Sequence, residues 1–445
     1  METGTFKMKL YHGDCLEELK KLEDNSVDAV ITDPPYGLSN TKPQQVADVL
    51  KAWVTGDTVS VPAKRGGFMG ADWDSFVPPP AVWEECMRVL KPGGHMAVFA
   101  GARTQDLMGL SIRLAGFEIR DTLGWVYGSG FPKSMDISKA IDKAAGAERE
   151  VVDTKRLGGN AAQSTAEKGG TYATNTDSVG VAAIDVPITA PATFEAKQWD
   201  GWGTALKPAI EPIILARKPL DGTVAANVLQ HGVGGLNIDA CRVEGVPRTT
   251  HSDGNKRTRN GGPTMREGFG VKDIPTPAPA GRFPANVLLD EHAAAEMDKQ
   301  SGHLSPGARP GNTATRPKFN GATYNSGKVY DGKMDEPRTA MDSGGGASRF
   351  FPVFKYQAKA PKRERPVIER EDGTKIQHPT VKPVALMEWL VELITPPNGV
   401  VLDPFAGSGT TLQAALNKGF TPIGIEQDAD YIKLIEQRLG LLAQQ

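Results

Sequence analysis

Six residues of buried-strand character, Val27-Asp28-Ala29-Val30-Ile31-Thr32, run straight into Asp33-Pro34-Pro35-Tyr36, and this junction constrains the fold more than any other stretch. β-Branched and apolar residues suit a strand, and two consecutive prolines then forbid both a continued ladder and a helix. A carboxylate, two rigid backbone carbonyls and an aromatic ring are therefore presented where a strand runs out. In open α/β sheets the carboxyl ends of strands form the edge where ligands sit. The tetrad suits a planar nitrogenous ring: Tyr36 offers a stacking face, while Asp33 and the Pro34 carbonyl can accept hydrogen bonds from an amino group. Taken alone, it also reads as a plain turn with an aspartate cap.

A second signal lies near the other end. Asn398-Gly399-Val400-Val401-Leu402 reads as a turn and a strand, followed by Asp403-Pro404-Phe405-Ala406-Gly407-Ser408-Gly409-Thr410-Thr411. Leu412 to Asn417 then has helical character, with Gly419 as its stop. Strand, glycine-rich turn and helix N-terminus make a cradle that lets backbone approach a ligand closely. Tight turns need glycine for their own reasons, so the loop gains meaning from the next strand. That strand, Pro422-Ile423-Gly424-Ile425, ends in Glu426, and an acidic residue at that position commonly holds ribose hydroxyls. The turn lacks both the Gly-x-Gly-x-x-Gly of dinucleotide sites and the Gly-Lys-Ser/Thr of phosphate loops. A nucleoside cofactor without phosphates fits better.

With both motifs on one chain, the sequence resembles the S-adenosylmethionine-dependent DNA amino-methyltransferases. Catalytic motif first and cofactor motif last matches the permuted β group of that family. His12-Gly13-Asp14-Cys15-Leu16 and His378-Pro379-Thr380-Val381-Lys382-Pro383 resemble two further family segments. The similarity covers residues 9–130 and 377–438, and extends more loosely through Gly130-Phe131-Pro132-Lys133-Ser134 and Lys207-Pro208-Ala209-Ile210-Glu211-Pro212. The resemblance implies a Rossmann-like α/β fold with a mostly parallel, doubly wound sheet, circularly permuted motif order and a loop-rich target-recognition insert. It implies a catalytic set of Asp33, Pro34, Pro35 and Tyr36. Around S-adenosylmethionine it sets Asp14, Lys382, Asp403, Phe405, Ala406, Gly407, Gly409, Thr410 and Glu426. Three of these have a plainer reading as well: Asp14 as a helix cap, Phe405 as core, Lys382 as a surface charge.

The implied reaction is methyl transfer to the exocyclic N6 of an adenine flipped out of double-stranded DNA. In this family Asp at the first tetrad position goes mostly with adenine and Ser with cytosine. A cytosine-N4 enzyme and a catalytically silent DNA-binding protein of the same fold stand as alternatives. Asp33, rather than Asn, counts against an enzyme acting on protein glutamine or RNA. Methylation at cytosine carbon-5 needs a thiolate presented after a proline, whereas Cys15, Cys86 and Cys241 follow Asp14, Glu85 and Ala240. A homodimer and a companion restriction nuclease are the further partners that the resemblance brings into view.

Composition limits the rest. With 445 residues the chain exceeds one ordinary domain, so a large catalytic unit with an elaborate insert is expected. Its formal charge of −2 means that any DNA-binding surface must be a local concentration of lysine and arginine. The three cysteines and seven histidines are scattered and show no metal-site spacing. No apolar run reaches spanning length and no signal-peptide core opens the chain, so a soluble cytoplasmic protein of a prokaryotic or phage-infected cell is expected, without a membrane partner.

The element pattern predicts three parts. Residues 1–220 form the first part of the catalytic domain, with strands at Lys9–His12, Val27–Thr32, Met96–Phe99 and Phe117–Val126, and helices at Cys15–Leu22, Ala81–Leu90 and Arg103–Ala115. Gly37 to Pro80 shows no clear period, and Lys91-Pro92-Gly93-Gly94 reads as a helix stop. A mobile insert is expected over about 128–206, with Gly158 to Gly180 rich in small residues. Ile213-Ile214-Leu215-Ala216 then returns to the main sheet. Residues 221–376, rich in Gly, Pro and Arg, are read as the target-recognition insert, and residues 377–445 as the second catalytic part. Lys256-Arg257-Thr258-Arg259 and the stretch from Lys355 to Lys375 are basic, suited to phosphates or base edges if they are more than solvated loops.

Overall fold

The computed structural model describes residues 8–62, 74–128, 130, 134–157, 184–243, 281–303, 344–354, 366–370 and 372–440. The basic run from Lys256 to Arg259, the stretch from Gly158 to Gly180 and much of Lys355 to Lys375 lie outside these residues. The chain divides into two compact units, residues 1–129 with 209–445, and residues 130–208.

The strands, in chain order, begin with β1 (Lys9–His12), β2 (Val27–Thr32), β3 (Leu90–Phe99), β4 (Glu118–Val126), β5 (Val151–Leu157) and β6 (Ile184–Thr189). They continue with β7 (Ile210–Arg217), β8 (Val287–Asp290), β9 (Val353–Phe354), β10 (Ile368–Glu369), β11 (Lys375–Ile376), β12 (Val400–Asp403) and β13 (Thr421–Glu426). Nine of them form the sheet of the larger unit in the order β1-β13-β12-β2-β3-β7-β4-β8-β9. All pair in parallel except β7, which runs antiparallel to both β3 and β4.

Alternation along the strands builds a core on each face of the sheet. Val30, Met96, Val98, Ile214 and Ala216 point into one core, together with Trp83 and Val89 of the helix Pro80–Val89 and Met108 and Ile112 of the helix Gln105–Leu114. Ala29, Ile31, Ala97, Phe99, Ile213 and Leu215 point into the other. That second face is covered by the helix Val384–Ile394, whose Leu386, Met387, Leu390, Val391, Leu393 and Ile394 are buried. The sheet is thus doubly wound, and the fold is Rossmann-like.

Register brings the motifs together. Val30 lies beside Leu402, and Leu402 beside Ile423, so β2, β12 and β13 end at the same edge. The reversed strand β7 begins there instead of ending there: Phe99 faces Ile213, which leaves Glu211 at the carboxyl end of β3.

The structure differs from the sequence reading in three places. Lys91-Pro92-Gly93-Gly94 lies within β3, and the irregularity is absorbed between the pairs Val27–Leu90 and Ala29–His95. Gly93 (φ +78°) makes this possible, because a Cβ there would lie 2.3 Å from Asn227 Nδ2. The stretch with no clear period contains the helix Pro43–Val54, started by Pro43 and seated by Val49 and Trp53. Finally, residues 221–376 supply regular elements to the larger unit: the helix Val224–His231, β8 beside β4, the helix Glu291–Ser301 and β9 beside β8. The border drawn at residue 221 therefore marks no break among the described residues.

The smaller unit holds the helix Ile137–Ala144, the antiparallel pair β5–β6 and the helix Phe194–Gln198. Buried Asp142 ties it together, accepting from the backbone N–H groups of Ala192 and Thr193 (3.0 Å each), the Thr193 hydroxyl (2.7 Å) and Arg149 Nη1 (2.6 Å). Among the described residues no helix is long and apolar enough to cross a membrane.

Candidate active site

Asp33 leaves the end of β2 with both carboxylate oxygens engaged. Tyr36 Oη donates to Oδ1 at 2.8 Å, and Lys382 Nζ donates to Oδ2 at 2.7 Å. The ammonium also lies 3.2 Å from Glu211 Oε2 and 3.1 Å from Tyr36 Oη, and the phenol lies 3.4 Å from Glu211 Oε2. Four side chains from three distant segments thus form one group. Burial opposes the charge on Lys382, but the carboxylates of Asp33 and Glu211 outweigh it and hold its pKa above the ordinary lysine value. Burial, reinforced by the same two carboxylates, pushes the Tyr36 pKa well up, so the phenol stays protonated at neutral pH. The ammonium also lies over two aromatic faces, 4.8 Å from the Phe99 centroid and 5.4 Å from that of Tyr36.

The turn itself is held from behind. Pro34 is buried, and the buried Asp74 carboxylate accepts from the backbone N–H groups of Tyr36 (2.7 Å) and Gly37 (2.9 Å). Thr104 Oγ1 donates to the Tyr36 carbonyl at 2.6 Å. Gly37 adopts φ +67° against the backbone of Phe76 and Val77, where a side chain would collide.

On the neighbouring strand, buried Asp403 ends β12 and accepts from Thr32 Oγ1 (2.6 Å) and the Phe405 N–H (3.1 Å). Burial raises its pKa to about 6 despite these donors. The loop then turns through Gly407 (φ +52°) and Gly409 (φ +77°), and Gly409 caps the helix Thr410–Asn417. Gly407 N–H donates to Glu426 Oε2 at 2.7 Å, Asp428 N–H donates to Oε1 at 2.9 Å, and Arg438 Nε holds the Ser408 carbonyl at 2.6 Å. Burial at the end of β13 pushes the Glu426 pKa up to about 7, against the pull of those two backbone donors. Phe405 is partly buried and packs toward Trp83, with ring centroids 6.3 Å apart.

The residues named from the sequence fall into two adjoining groups and one outlier. Asp33, Pro34, Pro35 and Tyr36 stand at the end of β2, while Asp403, Phe405, Ala406, Gly407, Gly409, Thr410 and Glu426 line the loop between β12 and β13. The Thr32–Asp403 hydrogen bond joins the two groups. Lys382 lies with the first group, not with the loop. Asp14 is exposed and caps the helix Cys15–Leu19, its Oδ1 accepting from Leu16 N–H at 3.0 Å; the neighbouring Gly13 N–H donates to the Glu426 carbonyl at 3.0 Å. Sequence reasoning missed Glu211, Asp74 and Thr104 as members of the site. Glu211 sat within a loosely similar segment, but only the reversed direction of β7 brings it to this edge.

The loop's chemistry suits a cationic nucleoside. It offers a carboxylate at a strand end, an aromatic ring and close backbone, and it contains no lysine or arginine to hold a phosphate. A doubly wound sheet with such a cradle beside a rigid Asp-Pro-Pro-Tyr turn defines a Rossmann-like group-transfer enzyme.

A family model described as DNA methylase, N6_N4_Mtase, matches residues 27–148 and 286–437, more than half of the chain. The chain belongs to this family, the S-adenosylmethionine-dependent DNA amino-methyltransferases. It is 21% identical over 450 aligned positions to Type II methyltransferase M.HindIII of Haemophilus influenzae, covering 97% of this chain and 95% of that one. It is 47% identical over 64 residues to DNA adenine methyltransferase YhdJ of Escherichia coli, 14% of this chain and 22% of the relative. Six such relatives are matched over only 17% to 28% of their own length. The M1.HpyAVI–SAM complex covers 97% of this chain and 99% of that chain, at 15% identity and a TM-score of 0.37.

Proposed function

We propose that this chain methylates the N6 amino group of an adenine flipped out of double-stranded DNA. The observation that carries the reading is the adjacency of the Asp33 turn and the Gly407–Glu426 cradle on one sheet edge, joined through Thr32 and Asp403. S-adenosylmethionine, when bound, supplies a methyl group already activated on a sulfonium. Glu426 is assigned to its ribose hydroxyls, and Phe405, Ala406, Gly407 and Gly409 to its methionine part, with Asp14, Asp403 and Thr410 around it. Lys382 is assigned to the Asp33 side of the site because its ammonium bonds that carboxylate.

The exocyclic amine is nearly planar because its lone pair is delocalised into the ring. Asp33 and the Pro34 carbonyl accept its hydrogens, which localises the lone pair and aims it along the line of transfer. Each carboxylate oxygen has a second lone pair, so Asp33 can accept from the amine while keeping Tyr36 and Lys382. Flipping the base costs a few kcal/mol. Stacking on Tyr36 returns on the order of 1–3 kcal/mol. As nitrogen becomes cationic it must shed a proton, and Asp33 is the acceptor placed to receive it.

Adenine is favoured by Asp at the first tetrad position and by the similarity to a relative named as a DNA adenine methyltransferase. Sequence choice is assigned to residues 221–376, since a pocket for one extruded base cannot read its neighbours. A homodimer, a companion restriction nuclease and a cytoplasmic setting in a bacterial or phage-infected cell complete the reading. Nucleoside mass spectrometry of duplex DNA treated with the protein and S-adenosylmethionine tests the product. N6-methyladenine is expected, and N4-methylcytosine as the main product would overturn the assignment.

A further inference from the structure

The group around Asp33 contains more charge than an ion pair requires. Asp33 and Glu211 are two carboxylates, Lys382 is one ammonium, and Tyr36 is a neutral phenol, so the net charge is −1. Their side chains are only 19%, 27% and 11% exposed for Asp33, Glu211 and Lys382. A second carboxylate in so enclosed a place costs desolvation that one ion pair would not. Lys382 reaches it from the segment before the helix Val384–Ile394, and Glu211 from the start of β7. Structure alone gives no reason for the excess.

Methyl transfer to an amine gives one. Positive charge passes to the amino nitrogen as it takes the methyl group, and it stays until a proton leaves. An ammonium paired only with Asp33 would make the group neutral and set a cation beside the place where positive charge develops. A second carboxylate cancels that ammonium and leaves Asp33 as an effective anion. Fixed charges of this kind act without reorganisation during the reaction.

We propose that Lys382 and Glu211 are positioning residues for methyl transfer: Lys382 fixes the direction of the Asp33 carboxylate, and Glu211 cancels the Lys382 charge so that the group faces the substrate amine with one net negative charge. The inference rests on Asp33 as the acceptor for that amine.

The test is a double-mutant cycle on the full chain, with duplex DNA and S-adenosylmethionine varied in turn, reading kcat and each KM separately. Glu211→Gln keeps shape and removes charge. It should lower kcat by about ten- to hundredfold, the scale of one unit charge at an effective dielectric of about 20, and leave both KM values within about threefold. Glu211→Asp keeps the charge and should retain most of kcat, which also guards against a misfolded Gln variant. Lys382→Met should lower kcat by leaving two carboxylates face to face and Asp33 undirected. The decisive species is Glu211→Gln with Lys382→Met, which restores one net negative charge but not the direction of Asp33, and should be slowed by clearly less than the product of the two single effects. Wild-type kcat in Glu211→Gln would overturn the inference, as would a double variant slowed by the product of the two single effects. Asp33→Ala is run alongside. If it stays active, the reading of Asp33 fails; if it is dead while Glu211→Gln is wild-type, only the charge-balancing role of Glu211 and Lys382 fails.

Discussion

Glu426 has a stability signature of its own and, in the proposed function, a share of the cofactor affinity. Its burial raises its pKa to about 7, and that of Asp403 to about 6, both above the ordinary carboxylate range. Between that range and the folded pKa, the native state keeps a proton that the unfolded chain has already released. Stability therefore falls as pH rises through this window, and the loss is complete above about 7 for Glu426. Glu426→Gln removes its share, so thermal melts from pH 5 to 8 should show the wild type losing more stability than the variant as pH rises. Parallel melting curves would contradict the assignment. Under the proposed function, the same substitution weakens S-adenosylmethionine binding by about 1.5–3 kcal/mol, the range for hydrogen bonds to charged groups. Glu426 was legible in the sequence because a strand–turn–helix–strand unit is local and its acidic end is read directly. Glu211 and Asp74 were not, because each reaches the Asp33 turn through chain reversals that no spacing encodes. Lys382 shows the intermediate case: its motif was visible, but only the ion pair with Asp33 says which side of the site it serves.

The element that most depends on its backbone is the loop from Asp403 to Thr411. Gly407 lies at φ +52°, its N–H bonds Glu426, and a Cβ on it would meet His378 Nε2 at 2.9 Å. A left-handed conformation costs an L-residue about 1–2 kcal/mol before any collision is counted. Gly407→Ala should therefore lower stability by at least that amount and weaken S-adenosylmethionine binding about tenfold or more, with no change in the DNA site chosen. Calorimetric titration showing wild-type affinity in a folded variant would remove this loop from the cofactor site. At this scale most strands were legible, because β2, β7, β12 and β13 are short apolar runs closed by turn residues. The bulged start of β3 was not, because Pro-Gly-Gly normally punctuates an element and here is tolerated by a close fit against Asn227. The helix Pro43–Val54 was overlooked within a stretch of glycines and prolines, although Val46, Val49, Leu50 and Trp53 recur at helical spacing and all pack against the core.

Across the whole molecule, the sheet brings together two ends of the chain. Thr32 and Asp403 are 371 residues apart and share a 2.6 Å hydrogen bond, so the two motifs meet only in the folded sheet. The parallel ladder between β2 and β12 sets that register, and long-range parallel pairing is slow to form but specific once both faces are buried. The permuted order was legible from the two motifs, and with it the sheet. The contribution of β8 and β9 to that sheet was not, because four-residue and two-residue strands carry almost no period. If sequence choice lies in residues 221–376, exchanging the residues 244–280 and 304–343 within it for those of a relative with a different site should change which sequence is methylated. S-adenosylmethionine affinity should stay the same, and an unchanged site preference would refute the assignment. The central claim, that Asp33 presents the target amine while the Gly407–Glu426 cradle holds the cofactor, is tested most directly by transfer of tritiated methyl groups to unmethylated duplex DNA. Wild type should label the DNA, and Asp33→Ala should not, while calorimetry shows its S-adenosylmethionine affinity within a few-fold of wild type. Labelling by Asp33→Ala, or loss of cofactor binding in a folded Asp33→Ala protein, would contradict that division of roles.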